Sequence, residues 1–131
     1  MQPLLTNFIA VACGGAMGSC LRYGISLCYS GTYSLFAIPT FTVNIIGSLI
    51  IGLLFVYATT FDISPALRAF LFVGLLGGFT TFSSFSLECV NMLRNGYYAA
   101  AAIYISASNV AGILSALGGV FIGNKIIRFF A

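Results

Sequence analysis

The chain has 131 residues, 60% of them apolar and 5% charged, where a soluble domain of this size carries about 25% charged residues. So few charges cannot coat a water-facing surface, and a net charge of +3 over five basic residues is not a nucleic-acid footprint. With no histidine, no CxxC pair, no carboxylate cluster and no phosphate loop, the sequence offers neither a zinc or haem site nor an enzyme constellation.

The charges are Arg22, Asp62, Arg68, Glu88, Arg94, Lys125 and Arg128, and residues 23–61 and 95–124 carry none. A spanning helix needs roughly 20 apolar residues. Hydropathy places four spans in one transmembrane domain covering 1–131, at about 4–29, 38–61, 66–93 and 97–127. Residues 6–21 are Gly-rich and no basic segment precedes them, so they read as a retained first span rather than a signal peptide. Cys13, Cys20, Cys28 and Cys89 lie mostly inside apolar runs and read as free-thiol packing residues. The links have turn chemistry: Ser30-Gly31-Thr32, then Asp62-Ile63-Ser64-Pro65 with Ser64 as N-cap and Pro65 at the first helical position, then Asn95-Gly96. No link is long enough for a domain, so function sits within the membrane.

With a cytoplasmic N-terminus, that side holds Arg68, Lys125 and Arg128 against Arg22 and Arg94 on the other. So small a bias fits insertion in both orientations, and two oppositely inserted copies form an antiparallel dimer, the two-chain counterpart of an inverted repeat. One fixed orientation with weak signals is the competing reading.

Polar groups at membrane depth are costly and face a partner, a cavity or water. In the first span Gly14-Gly15 and Gly18 suggest close packing, and Arg22 either snorkels to the interface or raises the anion concentration at a mouth. In the second span Thr40, Asn44 and Ser48 share a face, with Gly47 and Gly52 as close-approach residues. Asn44 is either interhelical glue or a donor to something else. The third span holds Gly77-Gly78-Phe79-Thr80-Thr81-Phe82-Ser83-Ser84-Phe85-Ser86. Two glycines followed by two β-branched threonines weaken a helix, so a break near mid-membrane is expected, with a continuous helix as the alternative. Phe82 and Phe85 share a face, and their electropositive ring edges can attract a small anion. Thr81, Ser84 and Glu88 form a neighbouring stripe, and Glu88 is expected to bond those hydroxyls or to lie near a vestibule. In the fourth span Tyr104 and Ser108 share a face that Gly112 and Ser115 continue.

Three stretches, in order, resemble the small dual-topology fluoride channels of the Fluc/CrcB family: Gly14-Gly15-Ala16-Met17-Gly18-Ser19-Cys20-Leu21-Arg22-Tyr23, Thr40-Phe41-Thr42-Val43-Asn44-Ile45-Ile46-Gly47-Ser48, and the Gly77 to Ser86 segment. The resemblance implies an all-α membrane protein of the bacterial cytoplasmic membrane, an antiparallel homodimer with two pores that passively exports fluoride. It implies that Phe82 and Phe85 line each pore with ring edges and that Asn44 donates an amide proton beside them. A hydroxyl track then maps to Thr81, Ser84, Tyr104 and Ser108, with Thr40 and Glu88 adjoining, and Arg22 sits at the vestibule. It also implies a structural sodium ion held by the backbone carbonyls of Gly77 and Thr80. Three residues depart from the family pattern: Pro39 for a usual glycine, Phe79 for a usual leucine, and Gly112 where some members carry a hydroxyl. Two rival readings are a four-span proton-coupled multidrug transporter and a non-transporting packing subunit. The first wants a carboxylate in the first span, and none is present.

Overall fold

The computed structural model describes residues 2–31 and 35–130, and side chains from Leu4 onward. It is helical throughout, with four stretches long and apolar enough to cross a membrane: Leu4–Cys28, Ile38–Thr60, Pro65–Arg94 and Tyr98–Phe130. The first two helices are α1 (Gln2–Cys28) and α2 (Ile38–Thr60). The third stretch contains α3 (65–79) and α4 (Phe82–Arg94), and the fourth is α5 (Tyr98–Phe130). Between α3 and α4, Thr80 (φ −82°, ψ 159°) and Thr81 (φ −149°, ψ 116°) are extended. Within α3 the segment Ala69–Leu76 winds in wide π-helical turns, a rare form that is not foreseeable from hydropathy.

Helix ends follow local chemistry. Pro39 falls in the first turn of α2, where a missing N–H costs no helical bond, so this departure from the family pattern is accommodated. Ser64 Oγ accepts from Leu67 N–H at 3.2 Å and Pro65 opens α3. Arg68 Nη2 donates to Ala58 O at 3.0 Å, a cation on the C-terminal carbonyls of α2. At the end of α4, Tyr97 N–H reaches Met92 O and Gly96 N–H reaches Leu93 O, a Schellman motif whose left-handed position, Gly96 at φ +81°, suits glycine. In the first link Gly31 also has a positive φ, and Thr32 lies outside the described residues.

Two glycine seams fix which helices meet. A Cβ on Gly14 would sit 2.5 Å from Phe70 O, and one on Gly78 would sit 2.6 Å from Gly15 O. Gly14 thus meets residues 70–75 and Gly18 meets residues 75–79, so α1 and α3 run parallel, backbone against backbone. A Cβ on Gly52 would intrude on Ala116 O, one on Gly119 on Leu49 O, and one on Gly123 would lie 3.1 Å from Val56 Cβ, so α2 and α5 also run parallel. Lipid offers no hydrophobic drive between helices, and close approach at small residues supplies the contact. Valine at Gly119 is therefore expected to push α5 off α2 and cost about 2 kcal/mol, read as an earlier thermal loss of monodispersity in detergent.

The interior is small. Val43, Ala101 and Tyr104 are almost fully covered, and Phe85, Cys89 and Met92 of α4 join Ala101 and Tyr104 of α5 in the core. Large apolar side chains such as Leu114, Phe121 and Phe8 point outward instead. A helix surface this apolar needs lipid or a partner against it. All four thiols are free, as expected; Cys89 is buried, whereas Cys13, Cys20 and Cys28 are exposed on the single chain.

Candidate functional site

The extended pair Thr80–Thr81 is the centre of the candidate site. An α-helix joins each N–H to the carbonyl four residues back, and here three such bonds are redirected. Thr81 N–H, the helical donor to Gly77 O, goes to Asn44 Oδ1 at 2.8 Å. Ser84 N–H, the helical donor to Thr80 O, goes to Thr81 Oγ1 at 3.2 Å, which caps α4. Gly78 O, whose helical donor would be Phe82 N–H, accepts instead from Arg22 Nε–H at 3.0 Å. Thr80 satisfies itself, with both its N–H and its hydroxyl on Leu76 O. The carbonyls of Gly77 and Thr80 are thus left without their helical donors. Both residues line an open cleft of about 320 Å³ with Asn44, Ser48 and Phe82.

Asn44 works as a bracket, with Nδ2–H returning to Thr81 O at 3.1 Å while Oδ1 holds Thr81 N–H. An amide nitrogen has two hydrogens, so one remains after this bond. Gly47, one turn along α2, lies against the Thr80 methyl, where a Cβ would overlap it.

From the interruption a line of aromatic rings runs inward. Phe82 and Phe85 have centroids 5.7 Å apart, and Phe85 and Tyr104 5.4 Å apart, both pairs tilted near 45°. Phe82 is 78% exposed on the single chain, whereas Phe85 is buried. Sequence periodicity did not foresee the third ring or its extension to Phe36, 6.2 Å from Tyr104.

Glu88 lies on the cavity that Arg22, Thr81 and Ser84 also line, but its bonds go elsewhere. Its carboxylate accepts from Thr40 Oγ1–H at 2.5 Å and from Tyr104 Oη–H at 2.9 Å, not from Thr81 or Ser84. Those two hydroxyls bond each other instead, Thr81 Oγ1–H donating to Ser84 Oγ at 3.0 Å. The stripe within one helix put Glu88 beside them, but α2 and α5 deliver nearer donors. Ser108 lies one turn beyond Tyr104, and its hydroxyl is buried. A Cβ at Gly112 would lie 3.7 Å from Ser48 Oγ, so the missing side chain leaves ordinary space rather than a forced contact.

Arg22 is held at one end. Besides its bond to Gly78 O it lines a cavity of about 340 Å³ with Thr40, Thr81, Ser84 and Glu88. The site therefore gathers residues from all four spans: Arg22, Thr40, Asn44, Gly77, Thr80, Thr81, Phe82, Ser84, Phe85, Glu88 and Tyr104 lie on this cavity, this cleft or the ring line, with Ser108 one turn beyond Tyr104.

A family model described as CrcB-like protein, camphor resistance (CrcB), matches residues 9–120. The chain belongs to the CrcB family. Among its relatives, a fluoride-specific ion channel FluC of Parabacteroides distasonis is 44% identical over 116 residues, 87% of this chain and 90% of that one. A protein of the same name from Methylobacillus flagellatus is 51% identical over 79% of this chain and 84% of its own length. A fluoride-specific ion channel FluC 2 of Bacillus subtilis is 44% identical over 91% of this chain and 88% of its own. With four spanning-length apolar helices and these relatives, this CrcB chain is a multi-pass bacterial membrane protein.

Proposed function

We propose that this chain is a fluoride-selective passive channel that exports fluoride across the cytoplasmic membrane, with two antiparallel pores in each homodimer. The observation that carries the reading is the ring line Phe82–Phe85–Tyr104 running beside hydrogen-bond donors with protons to spare. The relatives named as fluoride channels support the same assignment.

Fluoride is small and strongly hydrated, so a pore must replace most of its water. After the internal bonds are counted, the donors left beside the rings include the second amide hydrogen of Asn44 and the Ser84 hydroxyl, which accepts from Thr81. The hydroxyls of Thr40 and Tyr104 are occupied by Glu88, so in this role they position that carboxylate. Ring edges of Phe82 and Phe85 supply a weaker attraction, and conduction needs binding strong enough to enter and weak enough to leave. Arg22 in the adjoining cavity raises the local anion concentration.

In this reading the interruption lies at mid-membrane and the Gly77–Thr80 cleft lies on the dimer axis, where Phe82, exposed on one chain, reaches its partner's pore. Gly77 O and Thr80 O, stripped of their helical donors, suit a hard monovalent cation. A sodium ion held there by both protomers would offset anion repulsion at the centre.

The test is a reconstituted vesicle loaded with fluoride or chloride salt. Rapid, electrogenic fluoride efflux with no matching chloride efflux is the expected result. Vesicles that contain the dimer yet stay tight to fluoride overturn the proposal, and proton movement driven by a cationic drug would point to the transporter alternative.

A further inference from the structure

Arg22 is bound at one end and open at the other, and both ends have a structural cause. Phe82 opens α4, so its N–H no longer lies over Gly78 O as it would in a continuous helix. That carbonyl belongs to the last turn of α3, the negative end of the helix, where an unpaired C=O inside protein is costly and a cation is favoured. The glycine seam brings the remedy within reach. At Gly18 a Cβ would press on Leu75 O and lie 2.8 Å from Phe79 N, so the α1 backbone rests on the end of α3. Arg22 follows Gly18 by one turn, and helical side chains lean back over the preceding turn, which lays the guanidinium across this contact. Nε–H then donates to Gly78 O at 3.0 Å. The remaining donors of the five-donor guanidinium fork belong to a side chain that also lines the cavity shared with Thr40, Ser84 and Glu88.

We propose that Arg22 is a positioning residue: its Nε–H replaces the hydrogen bond that the interruption withdraws from Gly78 O, and this anchor fixes the end of α3 while aiming the rest of the guanidinium into the cavity. A charge at the vestibule requires only a cation. An anchored fork requires arginine, because a lysine has one ammonium and reaches either the carbonyl or the cavity. The flux arm of the test rests on the transport reading, and the spectroscopic arm does not.

Gly78–Phe79 is the one Gly-Phe step in the chain, so carbonyl-¹³C glycine with ¹⁵N phenylalanine isolates the Gly78 carbonyl resonance in the reconstituted full-length protein. Arg22→Met is expected to move that resonance away from its hydrogen-bonded position, to lower maximal fluoride flux roughly tenfold, the loss of one charge-assisted bond, and to raise the half-saturating fluoride concentration. Arg22→Lys is expected to keep either the resonance or the half-saturation, never both, with maximal flux below wild type. It also carries the test if Arg22→Met fails to insert. A lysine variant matching wild type in resonance, maximal flux and half-saturation overturns the proposal, as does a Gly78 resonance that does not move in Arg22→Met. If the wild-type chain passes no fluoride while the resonance still moves in Arg22→Met, the transport reading falls and the anchor stands.

Discussion

Isoleucine in place of Phe82 is expected to cut fluoride efflux by at least about two orders of magnitude, equivalent to roughly 3 kcal/mol added to the barrier, while leaving the fold unchanged. The reason lies in what the ring presents. Isoleucine matches phenylalanine in apolarity but has no electropositive edge, so an anion meets only hydrocarbon where it had met polarised C–H groups. Phe82 is 78% exposed on the single chain and touches Phe85 chiefly through ring contact, so little packing is lost within one chain. Phe85 is the stricter chemical test and the less clean structural one. It is buried against Tyr104, Cys89 and Met92, and isoleucine there also leaves a partial cavity costing about 1 kcal/mol or more. Measuring both variants separates the effects. Loss of efflux in Phe82→Ile with an intact dimer on size exclusion assigns the rings to conduction. Undiminished efflux in both variants removes the rings from the path, and with them the observation on which the channel reading rests.

The parts of this molecule that the sequence reveals are those governed by local or one-dimensional physics. Four helices follow from long charge-free apolar runs, and Ser64-Pro65 and Asn95-Gly96 announce a helix start and a helix stop through cap chemistry that needs no tertiary information. What stays hidden is which face meets which helix. These helices are apolar nearly all round, so there is no amphipathic stripe to orient them, and the faces are chosen by glycine seams whose partners sit 56–70 residues away in the sequence. Periodicity within one helix placed Glu88 beside Thr81 and Ser84; the parallel packing of α2 on α5 brings Thr40 and Tyr104 to it instead. Likewise Arg22 reads as a charge near a mouth, because nothing local shows that Gly18 seats the preceding turn on Leu75 and Phe79. The polar residues that line the cavity and the cleft were legible as a set, since polar groups in an apolar span stand out. Their partners were not, since partnership is a property of the packed bundle.

Asn44 tests whether the bracket or the free amide hydrogen matters more. Leucine at this position is close in volume but removes both bonds to Thr81, leaving its part-buried N–H and C=O without those partners. Two such losses are expected to cost about 3 kcal/mol together, and fluoride efflux is expected to disappear with them. Hydrogen exchange separates the causes. With the bracket gone, the Thr81 amide loses its acceptor and the start of α4 loosens, so exchange in the segment from Thr80 to Ser84 should rise about a hundredfold, the population change that this free energy implies. If Asn44 served only as a donor to a passing anion, efflux would vanish while exchange at Thr81 and thermal stability stayed at wild-type values. The geometry argues for the joint outcome, because the same amide that offers its remaining hydrogen outward is held in place by Thr81. Turning that hydrogen toward an anion therefore depends on the interruption staying extended, and keeping the interruption extended depends on Asn44.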